Sequence, residues 1–282
     1  MEEKLSPRRR LYDRGMRGLV WLCAGLTCAL LLFLIGYIFY RGVPGITWSL
    51  LTSQTSYIKN TVGILPNILD TLYIIVVAMV IVLPLGVGAA IYLTEYASNR
   101  RLVSVIEFAT ETLTGIPSII FGLVGMLFFI QKLGLAPGIL AGGLTLVIMI
   151  LPTIITVSKT SLDAVPNSYY EGSLALGATH ERSVFCAVLP AAKSGVLSAV
   201  ILGIGRAIGE TMAVVMVAGN QTWMPKGLFQ GLRTMTCNIV IEMGYAADLH
   251  REALIATGVV LFVFILLINL CFSLVKGGSD HA

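Results

Sequence analysis

The chain has few charged residues and few of the features that mark soluble enzymes. Of its 282 residues only 12% are charged, whereas 56% are hydrophobic and the mean hydropathy is +0.88. Soluble domains carry about 25% charge, so the composition excludes a soluble globular enzyme and also a disordered or fibrous chain. The sequence contains no basic stripe interleaved with aromatic residues, and we expect no nucleic-acid partner.

Cysteine pairs and nucleotide-binding motifs are also missing. The five cysteines form no C-x-x-C pair, and three of them lie inside apolar runs, which is typical of packing residues. We therefore expect no metal site and no disulfide framework. A nucleotide-binding P-loop requires G-x-x-x-x-G-K-[ST], but the sequence contains no Gly-Lys dipeptide. The chain is predicted to hold no catalytic residue and no cofactor, and not to hydrolyse ATP itself.

Long apolar runs dominate what the sequence does contain. A helix that crosses a bilayer needs about 20 mostly apolar residues, and six regions meet this condition. They are residues 18–40, 71–94, 112–131, 133–158, 194–225 and 253–275. The first run is longer than the apolar part of a signal peptide, about 7–15 residues, so we predict an uncleaved helix. The expected fold is an all-α integral membrane domain with six transmembrane helices.

The loops between these runs predict the orientation of the helices. With the N-terminus inside, the cytoplasmic segments hold twelve Lys and Arg residues and the external segments hold six. This asymmetry predicts that both termini are cytoplasmic. We divide the chain into residues 1–63, with the tail, first helix and external loop, a five-helix core at 64–276, and a tail at 277–282. A long cytoplasmic loop, 159–193, lies within the core.

The long cytoplasmic loop carries a helix signal. Ser168 followed three residues later by Glu171 fits a capping box, which predicts the start of a short helix. Gly177 can supply the left-handed residue that ends such a helix, and Pro190 then opens the fifth span. A bare cytoplasmic helix of this kind docks into a groove of another protein or folds against its own membrane domain. Periodicity alone leaves both interpretations open.

The fifth apolar region carries two charges in its interior. Residues 203–213 read GIGRAIGETMA, with Arg206 near the middle of the span and Glu210 four residues later. Residues four apart share a helical face, so we predict an ion pair, and one interpretation is that the pair only fixes helix packing. The other is an anion path in which Arg206 contacts the anion, because a guanidinium matches phosphate oxygens. Glu210 would then hold Arg206 when no substrate is present.

Neutral hydroxyl groups in the third region extend this interpretation. Residues 115–122 read GIPSIIFG, in which Pro117 frees a backbone carbonyl and Ser118 offers a hydroxyl group. Thr114 lies one turn earlier. Ser118 and Thr114 are candidates to contact an oxyanion, or they bond to carbonyl groups of their own helix. Glu107, at the start of this region, is expected to pair with the neighbouring arginines at the membrane interface.

The cytoplasmic loop resembles the EAA loop of ABC importer permeases. In that family a Glu precedes two alanines, a Gly follows six residues after the Glu, and I-x-L-P comes later. The corresponding positions are Glu171, Gly172, Ser173, Gly177, Ala178, Leu189 and Pro190. Small residues replace both alanines, and Ala187 replaces the usual Ile. The resemblance implies that these residues form a coupling helix that contacts a separate ATPase subunit.

Two membrane segments narrow the resemblance. GIPSIIFG and GRAIGETMA are similar to segments of phosphate-type ABC permeases, and residues 8–18, 86–97 and 171–179 resemble the PstA type. Residues 211–214 are also common in the PstC type. The resemblance implies phosphate import across a bacterial inner membrane. The implied partners are a homodimeric ATPase that binds ATP and Mg, a second permease of the PstC type, and an extracytoplasmic phosphate-binding protein.

The residues alone leave two other functions open. An ion-coupled secondary transporter would use Glu107, Glu111 and the Arg206–Glu210 pair as relays, and it would need no ATPase. A membrane scaffold would use the loop 159–193 as an interaction module and would tolerate Leu in place of Arg206. Neither alternative accounts for both the spacing of the loop motif and the charge inside the membrane.

Overall fold

The computed structural model describes residues 7–56 and 61–279 of the chain. The start of the predicted N-terminal tail, a short part of the first external loop and the end of the C-terminal tail lie outside the described residues. The predicted division into 1–63, 64–276 and 277–282 stays a prediction.

Helices form most of the described chain, and we number them in chain order. They are α1 Pro7–Gly42, α2 Trp48–Thr52, α3 Leu65–Ile91, α4 Arg100–Thr114, α5 Ser118–Gly125, α6 Ile139–Asp163, α7 Asn167–Ala175, α8 His180–Ser183, α9 Leu189–Ala191, α10 Lys193–Gly209, α11 Met212–Val217, α12 Met235–Met243 and α13 Asp248–Ser279. A 3-10 turn, Val43–Gly45, follows α1. Wider π turns extend α3 over Tyr92–Tyr96 and α5 over Met126–Lys132, and join α8 to α9 over Val184–Val188. Two short antiparallel strands, β1 Gln54–Ser56 and β2 Thr61–Ile64, form a hairpin after α2.

The membrane-spanning elements confirm an all-α membrane fold. Within the described ranges, α1, α3, α6 and α13 are each long and apolar enough to cross a bilayer. Two bent pairs, α4 with α5 and the α8–α9 arm with α10, bring the number of spans to six if each counts once. The prediction of one continuous third span over 112–131 is wrong, because the chain bends by 103° between Thr114 and Ser118. Pro117 causes this bend, since it has no amide hydrogen and its ψ of 138° is extended.

The core lies where α3, α6 and α10 pack together. Ile154 of α6 is fully buried and fits against a glycine on each neighbouring helix. A Cβ atom added to Gly86 of α3 would lie 2.6 Å from Cγ2 of Ile154, and one added to Gly203 of α10 would lie 2.7 Å from its Cδ1. Small residues let membrane helices approach this closely. Pro84 and Pro152 lie inside α3 and α6 without interrupting them.

The segment before α12 is fixed to the start of α3. The backbone amide of Arg233 donates to Oδ2 of Asp70 at 3.0 Å, and Nδ2 of Asn67 donates to the carbonyl of Arg233 at 2.9 Å. The amide of Met235 donates to Oγ1 of Thr71 at 3.0 Å. Three polar side chains of one helix therefore position the first residues of α12, which lie beside the break in the fifth span.

Candidate functional site

Arg206 lines a cavity between three helices of the membrane domain. The cavity has a volume of about 660 Å³ and is open at the surface of the chain. Its polar lining residues are Thr153 of α6, Ser198 and Arg206 of α10, and Asn269 and Ser273 of α13. Nη1 of Arg206 donates to Oγ1 of Thr153 at 3.1 Å. In the described part of the chain no carboxylate lies within ion-pair distance of this guanidinium, so the cavity carries a net positive charge.

The predicted ion pair between Arg206 and Glu210 does not form. α10 ends at Gly209, Glu210 is extended with φ −71° and ψ 132°, and α11 begins at Met212. Because the helix is broken, the two side chains do not share a helical face. Oε1 of Glu210 instead accepts a hydrogen bond from the amide of Ala213 at 2.9 Å and so caps the start of α11. The interpretation that Glu210 holds Arg206 in the absence of substrate is therefore wrong for this structure.

Side chains of α12 donate hydrogen bonds to the backbone carbonyls at this break. The hydroxyl of Thr236 donates to the carbonyl of Glu210 at 3.0 Å, and the thiol of Cys237 donates to the carbonyl of Thr211 at 3.7 Å. Irregular backbone at membrane depth is tolerated where surrounding protein or a water-filled cavity supplies hydrogen-bond partners. Dedicated partners show that the break is part of the fold, and that the two halves of the fifth span are separate helices.

The short helices α5 and α11, which form the second halves of the predicted third and fifth spans, pack against each other. A Cβ atom added to Gly122 of α5 would lie 2.8 Å from the Cα of Ala213 in α11, so the two short helices touch through their backbones. Ser118 is the first residue of α5 and is half-buried. The hydroxyl of Thr114 donates to the carbonyl of Thr110 at 2.9 Å, which is the intrahelical alternative. Neither Ser118 nor Thr114 lines the cavity described above.

The short helix predicted in the cytoplasmic loop is present as α7, but it begins differently. α7 starts at Asn167, directly after an extended Pro166, and no side chain caps it. The predicted capping box is therefore wrong, because Ser168 lies inside the helix. Glu171 and Gly172, two of the predicted coupling residues, are exposed on it. Most of the loop 159–193 is helical, since α6 continues to Asp163 and α8 begins at His180.

The end of α7 agrees with the prediction. Gly177 has a φ of +86°, a value that glycine adopts without strain. Its amide donates to the carbonyl of Leu174 at 2.8 Å, and the amide of Ala178 donates to the carbonyl of Ser173 at 3.2 Å. These two bonds form a Schellman motif. The motif leaves Leu176 91% exposed, so an apolar side chain stands out from the end of the helix.

A set of polar and aromatic contacts, which we call the α7 clamp, fixes this helix to the membrane domain. The hydroxyl of Tyr170 lies 2.8 Å from Nδ1 of His180, and the hydroxyl of Ser183 donates to that of Ser173 at 3.0 Å. The ring of Tyr96, at the end of the π turn after α3, meets the His180 ring edge to face at 4.7 Å. α7 is thus tied to both α8 and α3, and its opposite side stays exposed.

Leu189 and Pro190 lie beside the bend between α9 and α10, which we call the elbow and which joins the α7 clamp to the cavity. The arm from His180 to Ala191 meets α10 at an angle of 67°. Pro190, which has no amide hydrogen, lies in the last turn before the elbow, and half-buried Leu189 packs on a small buried cluster. Because α10 carries Arg206 near its far end, one jointed element connects the α7 clamp with the cavity.

The predicted partners of Glu107 are also corrected. Oε1 of Glu107 lies 3.2 Å from Nζ of Lys159 in α6, and the same ammonium lies 2.6 Å from Asp163. Glu107 therefore links α4 to α6 and does not pair with the arginines that begin its own helix.

A buried carboxylate outside the membrane-spanning helices holds the segment around α12 together. The side chain of Glu242 is only 6% exposed, with Nη1 of Arg233 at 2.5 Å and Nε2 of His250 at 3.2 Å. Burial alone would raise the pKa of Glu242, but hydrogen bonds from Arg233, Tyr245 and His250 outweigh burial and hold this pKa below its ordinary value. Glu242 is therefore the charged centre of this region.

The sequence analysis did not identify Thr153, Asn269 and Ser273, nor the clamp residues Tyr96, His180 and Ser183. A signal for two of them was present, because Asn269 and Ser273 are polar residues four apart in an otherwise apolar run. Thr153 and the clamp residues His180 and Tyr170 depend on tertiary contacts, for which the sequence offers no local pattern.

Comparison with known proteins agrees with this architecture. Residues 83–280 match the family model for the binding-protein-dependent transport system inner membrane component. The probable ABC transporter permease protein YqgI of Bacillus subtilis is 33% identical over 214 residues, which cover 76% of this chain and 73% of that protein. The phosphate transport system permease protein PstC of Haemophilus influenzae is 34% identical over 241 residues, which cover 76% of each chain.

Solved structures share the fold at low sequence identity. A chain of a bacterial ABC transporter for the import of the acidic polysaccharide alginate superposes with a TM-score of 0.63 at 13% identity, over 95% of this chain and 98% of that one. A chain of the MetNI methionine ABC transporter in an inward-facing conformation superposes with a TM-score of 0.58 at 21% identity, over 77% and 94%. The chain therefore belongs to the binding-protein-dependent transport system inner membrane components, the membrane-spanning permease subunits of ABC importers.

Proposed function

We propose that this permease subunit belongs to an ATP-driven importer of inorganic phosphate in a bacterial inner membrane. The observation that carries the proposal is Arg206, a guanidinium in an open cavity inside the membrane domain, whose one hydrogen-bond partner among the described residues is the neutral Thr153. Placing an Arg within a membrane helix is costly, so such a residue marks a functional site. The phosphate permeases among the relatives, at 33–35% identity, support phosphate as the anion.

The coupling role is assigned to the exposed side of α7. Glu171, Gly172 and Gly177 would contact a homodimeric ATPase that binds ATP and Mg on its own chains, with Ser173 and Ala178 supporting the turn from behind. Closure of the ATPase would move α7. The α7 clamp would pass this movement through the elbow at Leu189 and Pro190 to α10.

The complex is proposed to contain a second homologous permease and an extracytoplasmic phosphate-binding protein. The sequence segments favour a PstA-type role for this chain, next to a PstC-type partner. The named phosphate relatives are PstC proteins, which favours the reverse assignment.

Purification of this chain from native membranes in mild detergent tests the proposed composition of the complex. A P-loop ATPase and a second, different permease should be recovered with it, and recovery of the chain alone, still able to transport, would refute the proposal.

The alternative of an ion-coupled secondary transporter has lost its main support. It depended on a buried Arg206–Glu210 pair that acts as a relay, whereas Glu210 caps α11 and Arg206 bonds to Thr153.

The substrate role of Arg206 is tested by phosphate uptake. We expect Arg206→Ala to abolish uptake and Arg206→Lys to restore only part of it, because Lys lacks the planar fork. Arg101→Gln, an exposed position on α4, is the matched control. Normal uptake by Arg206→Ala would exclude this role.

A further inference from the structure

The cavity that Arg206 lines contains more hydrogen-bonding groups than the arginine alone. Between Ala253 and Leu274, α13 is apolar apart from Thr257, Asn269 and Ser273. Thr257 donates to the carbonyl of Ala253 at 2.8 Å and is thereby satisfied within its own helix. Asn269 and Ser273 both line the cavity, and they lie on one face because they are four residues apart.

Asn269 has hydrogen-bonding capacity to spare in this position. Its carboxamide makes no hydrogen bond to any other residue that the structure describes. The neighbouring Leu266 and Leu270 are more than half exposed, so the helix presents one polar stripe beside an apolar surface. That stripe faces the cavity.

Arg206 also retains most of its hydrogen-bonding capacity. A guanidinium has five N–H donors, and among the residues that the structure describes it bonds only to Thr153. The cavity therefore combines one fixed positive charge with the hydroxyl and amide donors of three helices. Because no carboxylate of the described residues lines it, the lining favours an anion and disfavours a cation. Its volume of about 660 Å³ lies within the usual range of ligand sites and accommodates an anion with bound water.

We propose that this cavity is a binding site for a tetrahedral phosphate group, held by Arg206, Asn269 and Ser273 with Thr153 as the residue that orients the guanidinium. The inference deepens the proposed function, because it assigns α13 to the anion site. Two sources present the same oxygens: inorganic phosphate on its way through the importer, or the headgroup of an anionic phospholipid that enters from the bilayer.

The test compares Asn269→Asp with Asn269→Leu in the complete complex, reconstituted in liposomes that contain phosphatidylglycerol. Aspartate keeps the size of the side chain but adds a negative charge in the cavity, whereas leucine removes only the hydrogen bonds. Asn99→Asp is the matched control, since Asn99 caps α4 outside the cavity and Asp caps equally well. Uptake of radiolabelled phosphate and the amount of phosphatidylglycerol retained after purification are both measured.

If the site holds inorganic phosphate, Asn269→Asp should lower uptake by about tenfold or more, because like charges repel strongly in a partly desolvated site. Asn269→Leu should lower uptake less, and retained lipid should not change. If the site holds a headgroup, Asn269→Asp should remove the retained lipid. Unchanged uptake together with unchanged lipid would overturn the site. Should Asn269→Asp fail to assemble, Ser273→Asp replaces it.

The outcomes separate this inference from the proposed function. A wild-type complex that takes up phosphate and is insensitive to all of these variants leaves the importer in place and removes the α13 site. A wild-type complex that takes up no phosphate refutes the proposed function. In that case the cavity remains a phosphate-group site only if Asn269→Asp releases bound phosphatidylglycerol, and it is refuted otherwise.

Discussion

The contact between Ile154 and two glycines predicts that two similar Gly→Ala variants respond differently to a second substitution at Ile154. An added methyl group at Gly86 would lie 2.6 Å from Cγ2 of Ile154 and 3.0 Å from its Cβ. At Gly203 it would lie 2.7 Å from Cδ1, the far end of the same side chain. Each single Gly→Ala variant forces a shift in a packed core, so each should destabilise the fold by about 1–3 kcal/mol.

The Ile154→Val substitution distinguishes the two sites. Valine lacks Cδ1 but keeps Cγ2 and Cβ, so it removes the closest contact at Gly203, leaving one of 3.2 Å to Cγ2 of Ile150, and it leaves the clash at Gly86 unchanged. Alone it should destabilise by about 0.5–1.5 kcal/mol. Combined with Gly203→Ala it should recover about 1 kcal/mol relative to the sum of the single effects. Combined with Gly86→Ala the effects should add within about 0.5 kcal/mol.

The assay is unfolding by sodium dodecyl sulfate in mixed micelles, followed by circular dichroism. Gly88→Ala serves as the control, because a methyl group there meets no atom within 4 Å. It should be neutral, or more stable by up to about 1 kcal/mol, since alanine favours the helix. Equal coupling of Ile154→Val to both glycine variants would refute this account of the core.

Further predictions concern coupling and pH. Gly177→Asp should leave ATP hydrolysis by the complex intact but lower phosphate transported per ATP, because an L residue at a φ of +86° distorts the end of α7; unchanged stoichiometry would contradict the coupling role. Tyr170→Phe removes the hydroxyl of the α7 clamp and should also lower transport per ATP, whereas Tyr40→Phe, on α1 and 81% exposed, should not; equal effects would exclude the clamp. Glu242 has a folded pKa below its ordinary value of 4.5, so its stabilising contribution is complete above 4.5 and is lost as the pH falls through the folded value. The unfolding midpoint should therefore fall with acidification in the wild type, and Arg233→Met should flatten this dependence; identical pH profiles would show that the ion pair does not contribute.

Much of the fold follows from local patterns in the sequence. Apolar runs of sufficient length predict the spanning helices, because a bilayer requires about 20 such residues whatever the tertiary structure. Gly177 was predicted to adopt a left-handed conformation, which the structure confirms. The bend at Pro117 also follows from chemistry that is local to the residue, although the sequence did not indicate its size of 103°.

The break at Glu210 could not be predicted in this way. The sequence there contains no proline, and a mid-membrane Arg and Glu four apart suggested a continuous helix with an ion pair. The structure favours the break because Thr236, Cys237 and the side chain of Glu210 itself supply the missing hydrogen bonds. Thr236 and Cys237 belong to α12, 26 residues later in the chain than the carbonyls that they bond. The contact of Arg206 with Thr153 is equally nonlocal, since it crosses from α10 to α6.

The most direct test of the account is the energy dependence of phosphate uptake. Proteoliposomes would contain the complex purified through this chain, with its binding protein added on the outside and radiolabelled phosphate as the solute. The account predicts uptake that requires ATP inside the vesicles, is unaffected by collapse of ion gradients, and is lost in Arg206→Ala. Uptake that proceeds without ATP and stops when the gradients collapse would contradict it.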